Sequence, residues 1–159
     1  MTYGNDSIYL DHAATTPVDA AVVRVMLPYF SQHFGNPSSI YRLGQDGKAG
    51  IETARRQVAN VLGCRPSEVL FTSGATESIN LALRGIVRAK APLRPDLSGT
   101  RLITTPIEHH AALHEVDALR ADGMQVDILP VDANGLVDPR DLERLLETDA
   151  TLVSVMYAN

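Results

Sequence analysis

Apolar positions along this chain alternate between a spacing of about 3.6 residues and short continuous runs, and that alternation lays out its elements. Val22, Val23, Met26, Leu27 and Phe30 recur at helical spacing behind Asp19, which predicts a helix capped by Asp19 and running to about Phe30. The preceding segment is extended: Ile8-Tyr9-Leu10 leads into Asp11-His12-Ala13-Ala14-Thr15-Thr16-Pro17, and Pro17 turns Thr16 away from helical geometry. Phe34-Gly35-Asn36-Pro37-Ser38-Ser39 reads as a loop from its turn residues. A second stripe, Ile51, Ala54, Val58, Val61 and Leu62, predicts a helix from roughly Gly47 to Leu62, with Gly63 at a left-handed stop. Val69-Leu70-Phe71 follows as a short apolar strand, and Ile79, Ala82, Leu83, Ile86 and Val87 then form a helical face reaching about Ala89.

The second half repeats the alternation. Pro92 and Pro95 close the helix, and residues 91–100 read as a surface loop before a strand at Arg101-Leu102-Ile103-Thr104-Thr105. Ala112, Leu113, Val116 and Leu119 predict a helix ending near Gly123, followed by a strand from Val126 to Val131. Asp138 as cap, Pro139 at the first helical position and Asp141 in the first turn precede Leu142, Leu145 and Leu146. Residues 151–156 then form a buried strand. Strands separated by helices require parallel crossovers, so the fold class is α/β: a mostly parallel sheet flanked by helices.

Composition narrows the function. The 159 residues, 45% hydrophobic, suffice for one domain with a sizeable core. A net charge of -5 and the lack of a Lys/Arg stripe disfavour a nucleic-acid partner. No apolar run is long enough to span a bilayer, and Met1-Thr2-Tyr3-Gly4-Asn5-Asp6 lacks the order of a signal peptide, so a cytoplasmic location and no membrane partner are expected. A single cysteine, Cys64, excludes an internal disulfide.

In sheets of this class, ligands sit beyond the carboxyl ends of the strands. Three segments lie there: Ser73 to Thr76, Glu108-His109-His110, and Tyr157-Ala158-Asn159. Thr72-Ser73-Gly74-Ala75-Thr76-Glu77-Ser78 reads as an anion cradle. A sharp turn through Gly74 into a helix leaves amides unpaired at the positive end of the helix dipole, and the hydroxyls of Ser73, Thr76 and Ser78 can add donors. An ordinary helix N-cap would use the same residue types, and the run alone leaves both readings open. His12, His33 and His114 have no partners at metal spacing and are read as surface or structural residues; no metal site is expected. Cys64 is read as an incidental thiol, and Arg55-Arg56 as a solvated helix face.

Five stretches taken together resemble the N-terminal part of a cysteine desulfurase, a pyridoxal-phosphate enzyme of the class V aminotransferase group with fold-type I. They are residues 9–17, residues 34–39, residues 71–82, Glu108-His109, and Leu152-Val153-Ser154-Val155-Met156-Tyr157-Ala158-Asn159, in the family's order across essentially the whole chain. The resemblance implies the front half of the large, cofactor-binding domain, incomplete over residues 1–159. It assigns Gly74, Ala75 and Thr76 to the phosphate of pyridoxal 5'-phosphate, and His109 to stacking on the pyridine ring with a proton-transfer role. It implies L-cysteine as substrate of the complete enzyme, alanine and a persulfide on an enzyme cysteine as products, a homodimer, and a sulfur-acceptor or scaffold protein as partner.

The family also needs a lysine to attach the cofactor, an acidic partner for the ring nitrogen and a sulfur-accepting cysteine. Lys48 and Lys90 lack the family's flanking residues and Cys64 matches none of its cysteines, so this chain alone is expected to be inactive. Asn159 resembles the first residue of the family's Asn-Asn-Glu stretch, which places the end of the chain inside a site and leaves apolar faces without cover. The alternatives are a non-catalytic short relative that dimerises with or regulates a full-length enzyme, and a piece of a selenocysteine lyase or another class V member.

Overall fold

The computed structural model describes residues 8–91 and 96–158. Two compact units divide the chain, one ending at Leu70 and one beginning at Phe71. In the first, α1 spans Ala20–Ser31 and α2 spans Arg42–Leu62, followed by a single 3-10 turn at Pro66–Glu68. Asp19 caps α1 as expected, its Oδ1 accepting from the Ala21 amide at 2.6 Å. The apolar stripe of α1 faces outward: Val22, Met26, Leu27 and Phe30 are all exposed, Phe30 by 74%.

Helix α2 begins five residues before the expected Gly47. Its buried positions are Gly44, Gly47 and Ala59 rather than the large apolar residues, and Val61 and Leu62 are exposed. A Cβ at Gly44 would lie 2.6 Å from the carbonyl oxygens of Asn36 and Ser39, and one at Gly47 would lie 2.8 Å from that of Gly35. These glycines are therefore sites of backbone approach: the loop over residues 35–39 lies directly on the first turns of α2. Two side chains tie the loop down. Asn36 Oδ1 accepts from the Ser38 amide at 2.9 Å, and Gln45 Nε2 donates to the Ser39 carbonyl at 2.7 Å. Gly63, with φ of 66°, stops α2 in the left-handed conformation as predicted.

The second unit comprises α3 (Ala75–Lys90), β1 (Arg101–Thr104), α4 (His110–Ala121), β2 (Gln125–Ile128), α5 (Pro139–Leu145) and β3 (Leu152–Ser154). Its sheet has the order β2-β1-β3 and is parallel throughout, with Leu102 opposite Val126 on one side and Leu152 on the other. This is the α/β architecture that the alternating pattern predicts. Leu83 and Val87 of α3, Leu102 of β1, Ala112, Val116 and Leu119 of α4, and Met124 form one buried cluster. Arg84 on α3 pairs with Glu115 on α4 at 2.8 Å, and Arg88, one turn later, pairs with Asp122 just past α4 at 3.6 Å. Later residues of one helix thus meet later residues of the other, so α3 and α4 run parallel and their N-termini share one end of the unit.

Four expectations need correction. Val69-Leu70-Phe71 does not join the sheet; the Arg55 guanidinium donates to the Val69 carbonyl, occupying an acceptor that a strand ladder would use. Residues 91–100 are not simply a surface loop. Pro92 and Pro95 lie outside the described residues, but Leu97 is fully buried in the core cluster and its amide donates to the Asp122 carbonyl at 2.8 Å. The last strand is shorter and less buried than its apolar run suggests: Val153 and Val155 are exposed, because β3 borders the sheet on β1 alone among the described strands. The strand expected from Val126 to Val131 ends at Ile128, after which Asp132 organises a turn by accepting from the Asn134 and Leu136 amides.

Replacing Leu119, fully buried, with alanine is expected to cost about 2–5 kcal/mol in urea-induced unfolding of the second unit. Gly44→Ala is expected to destabilise the first unit by roughly 1–3 kcal/mol, because two of the three closest contacts are backbone carbonyl oxygens that must move; an unchanged unfolding midpoint would contradict the loop's position on α2.

Candidate functional site

Parallel α3 and α4 bring two helix N-termini to one end of the second unit, and the sequence-predicted site residues sit on them. Gly74 is the N-cap of α3, followed by Ala75 and Thr76 at its first two helical positions. The cap carries no side chain and no side-chain hydrogen bond closes the helix end, so the N-cap reading of the Ser/Thr run does not describe what is found. Gly74 itself is fully extended (φ 166°, ψ −179°), a conformation open to any residue. A Cβ built on it would meet nothing within 4 Å. What glycine contributes here is open space over the first amides of α3, where the positive end of the helix dipole is concentrated.

Hydroxyl donors are fewer than the sequence suggests. Ser73 donates both its amide and its hydroxyl to Glu77 Oε2, each at 2.6 Å. Thr72 Oγ1 donates to the Gly74 carbonyl at 3.1 Å and lies 2.6 Å from Ser78 Oγ. A hydroxyl has one proton to give; with that of Thr72 directed at the carbonyl, Ser78 donates to Thr72. The Ser73 and Ser78 hydroxyls are therefore committed within the turn, leaving Thr76 as the hydroxyl beside the open amides. The Glu77 carboxyl is held below its usual range, first by the Ser73 hydroxyl and then by the Ser73 amide. This back-reaching carboxylate was not singled out from the sequence, although its spacing of one helical turn from Ser73 was the available signal. Along the same side of α3, Ser73, Thr76, Glu77, Asn80, Arg84 and Arg88 line an open groove.

The second N-terminus is that of α4. His109 is its N-cap, and its ring Nδ1 accepts from the Ala111 amide at 3.1 Å. Because a backbone N–H can only donate, Nδ1 is unprotonated in this arrangement and the neutral ring carries its proton on Nε2. The ring is exposed and lies at an edge to His110, with centroids 6.2 Å apart. The adjacent Glu108 is buried; its Oε1 accepts from Thr105 Oγ1 at 2.7 Å and from the Met156 amide at 2.8 Å. Tyr157, next along the chain, is fully exposed, and Asn159 lies outside the described residues. Among the described residues, two buried polar atoms lack a protein partner: Asn80 Oδ1 on α3 and Thr104 Oγ1 at the end of β1.

Lys90 is the last residue of α3, about 22 Å along the axis from Ala75 at the usual helical rise. Lys48 is exposed on α2 and Cys64 is half-buried just after it, both in the first unit. Among the described residues, no three His, Cys, Asp or Glu side chains cluster in a way that could hold a metal ion, and no helix is long and apolar enough to cross a membrane.

Comparison with known proteins converges on one group. A family model described as aminotransferase class-V matches residues 8–159. The chain is 45% identical over 155 residues to a protein named cysteine desulfurase IscS from Methanosarcina thermophila, covering 98% of this chain and 37% of that one. It is 42% identical over 153 residues to a human protein named cysteine desulfurase, covering 96% and 32% respectively. Among solved structures, a NifS-like protein superposes with a TM-score of 0.86 at 40% identity, over 96% of this chain and 40% of that chain. A structure of SspA in complex with cysteine does so with a TM-score of 0.84 at 34% identity, over 94% and 42%. The chain thus spans well under half the length of these relatives.

The lowered Glu77 value sets a pH dependence. A carboxylate favoured in the folded state contributes stability that is complete above the ordinary glutamate range and is lost as pH falls through the lowered value. Hydrogen exchange at the Ser73 amide is expected to accelerate across that acid range in the wild-type chain, beyond the intrinsic pH trend, and to show no such step in Glu77→Gln.

Proposed function

The chain belongs to the aminotransferase class-V family, and from that membership we propose that it forms the phosphate-holding part of a pyridoxal-phosphate-dependent cysteine desulfurase. The observation that carries the reading is the N-terminus of α3: uncapped, open above Gly74, and flanked by a single uncommitted hydroxyl at Thr76. A phosphate dianion fits such a site, since backbone amides supply donors at the positive helix end and, among the described residues, nothing lies within 4 Å of a Cβ placed at Gly74. Ala75 and Thr76 hold the phosphate through their amides, and Thr76 adds its hydroxyl. Glu77 takes no part in holding the anion; its carboxylate is bound back onto Ser73, which fixes the turn.

When bound, pyridoxal phosphate supplies an electron sink for the pair left on the substrate Cα as its proton departs. His109 presents its ring to the pyridine, and the capping bond at Nδ1 leaves Nε2 as the atom through which it can hold or move a proton. L-cysteine is the proposed substrate of the complete enzyme, supported by the desulfurase names of the relatives and by the cysteine-bound SspA neighbour. A homodimer, a sulfur-accepting protein partner and a cytoplasmic location complete the proposal on family grounds. Neither lysine of this chain is a good attachment point: Lys90 ends α3 at the far end from the cradle, and Lys48 lacks the family's flanking residues.

Titration with pyridoxal phosphate, followed by absorbance, tests the cradle. Thr76→Val is expected to weaken binding about tenfold, the loss of one hydrogen bond to a charged group, while leaving binding of pyridoxal, which lacks the phosphate, unchanged. His109→Ala is expected to weaken both ligands; equal affinity of wild type and both variants for both compounds would overturn the reading. The 159 residues alone, given pyridoxal phosphate and L-cysteine, are expected to release no alanine above the cofactor-only rate.

A further inference from the structure

Glu108 is a buried carboxylate that the proposed reaction does not use. Its exposure is 8%, the same as that of Glu115, yet the two are stabilised differently. Glu115 faces the Arg84 guanidinium at 2.8 Å, whereas Glu108 meets no cation among the described residues and relies on two neutral donors, Thr105 Oγ1 and the Met156 amide. A buried carboxylate is tolerated only when hydrogen bonds replace its lost hydration. Here one of those bonds joins positions 48 residues apart in sequence.

Strand geometry explains why the acceptor is needed. Residues β1 and β3 pair from Leu102 opposite Leu152 to Thr104 opposite Ser154. Past Thr104 the chain turns away through Thr105-Pro106, so β1 no longer offers a carbonyl to the amides leaving β3. The Glu108 side chain takes the place of that missing carbonyl at Met156, and its other donor, Thr105, is the fully buried residue at the exit of β1. The next residue is His109, whose ring caps α4 through Nδ1. One short segment is thus held inward by a carboxylate and forward by an imidazole.

We propose that Glu108 is the positioning residue for His109: by joining the exits of β1 and β3 at one oxygen, it fixes the backbone from which the His109 ring caps α4 and so sets the orientation and tautomer that the ring presents to the cofactor. This rests on the reading of His109 as the ring that faces pyridoxal phosphate. Movement of the Met156-Tyr157 segment is transmitted to His109 through the same oxygen. An amide acceptor at position 108 preserves the tie, because the Met156 amide requires a lone pair rather than a charge.

The test uses the full chain and three readings: the Met156 amide proton shift, the 15N signature of the His109 ring, and affinity for pyridoxal phosphate. In Glu108→Ala, the Met156 amide is expected to move upfield, the ring to populate both tautomers, and affinity for pyridoxal phosphate to fall about five- to tenfold, with affinity for inorganic phosphate at α3 unchanged. Glu108→Gln is expected to restore all three. Glu108→Asp, which withdraws the oxygen by one methylene while keeping the charge, is expected to behave like Glu108→Ala and carries the test if that variant does not fold. A Glu108→Ala or Glu108→Asp chain that keeps the wild-type ring signature and affinity would overturn the positioning role. The cofactor reading fails separately, if His109→Ala leaves pyridoxal phosphate affinity untouched.

Discussion

Burial of β1 is the constraint on which the second unit depends. Leu102 and Ile103 point to opposite faces of the sheet and both are fully buried, so this four-residue strand is covered on both sides and paired along both edges. A strand in that position has no latitude in register, since a slip of one residue would exchange the two faces. It also leaves its polar ends to be satisfied locally. At the start, Arg101 lies 2.5 Å from Asp127 of β2 and donates to the carbonyls of Leu145, the last residue of α5, and of Thr148 beyond it, drawing three elements together. At the exit, Glu108 performs the corresponding task with its two hydrogen bonds.

The two ends differ in their electrostatics. Arg101 is a mostly buried cation answered by a carboxylate and by carbonyls at a helix C-terminus, an arrangement that fastens a crossover. The exit end gathers the opposite polarity: helix N-termini, unpaired amides over α3 and an imidazole at the start of α4. Parallel packing of α3 on α4 places both of their positive dipole ends together, which favours an anion there. Arg84 and Arg88 do not compete for such an anion because Glu115 and Asp122 already pair with them. The Arg84 guanidinium is held above its usual value first by its hydrogen bond to Glu115, so it stays charged throughout the accessible pH range.

Apolar surface is distributed unevenly. The core cluster occupies the space between α3, α4 and the sheet, whereas α1, the later turns of α2 and the outer side of β3 expose large apolar residues, among them Phe30, Val61, Leu62 and Val153. Exposed faces of this size mark surfaces suited to further contact.

By itself the sequence determined the order and type of most elements, since helical spacing and capping residues are local signals: Asp19, Gly63 and Asp138 with Pro139 act where they were expected to. It also singled out Gly74 to Thr76 and His109, which lie at the N-termini of α3 and α4. Tertiary structure decided what those signals meant. Gly47 reads as the start of a helix, yet Gly44 and Gly47 both lie within one, where their missing side chains admit the close approach of the preceding loop over residues 35–39. Val69 to Phe71 reads as a strand but does not join the sheet, and Leu97 reads as loop but is core. Three serine and threonine hydroxyls looked equally available to an anion until Glu77 and Thr72 engaged two of them. Glu108 acquired its place only when β1 and β3 were paired, because its main partner lies 48 residues away. Local propensity is written in neighbours along the chain, whereas the assignment of each donor to its acceptor depends on which distant segments share an end of the sheet.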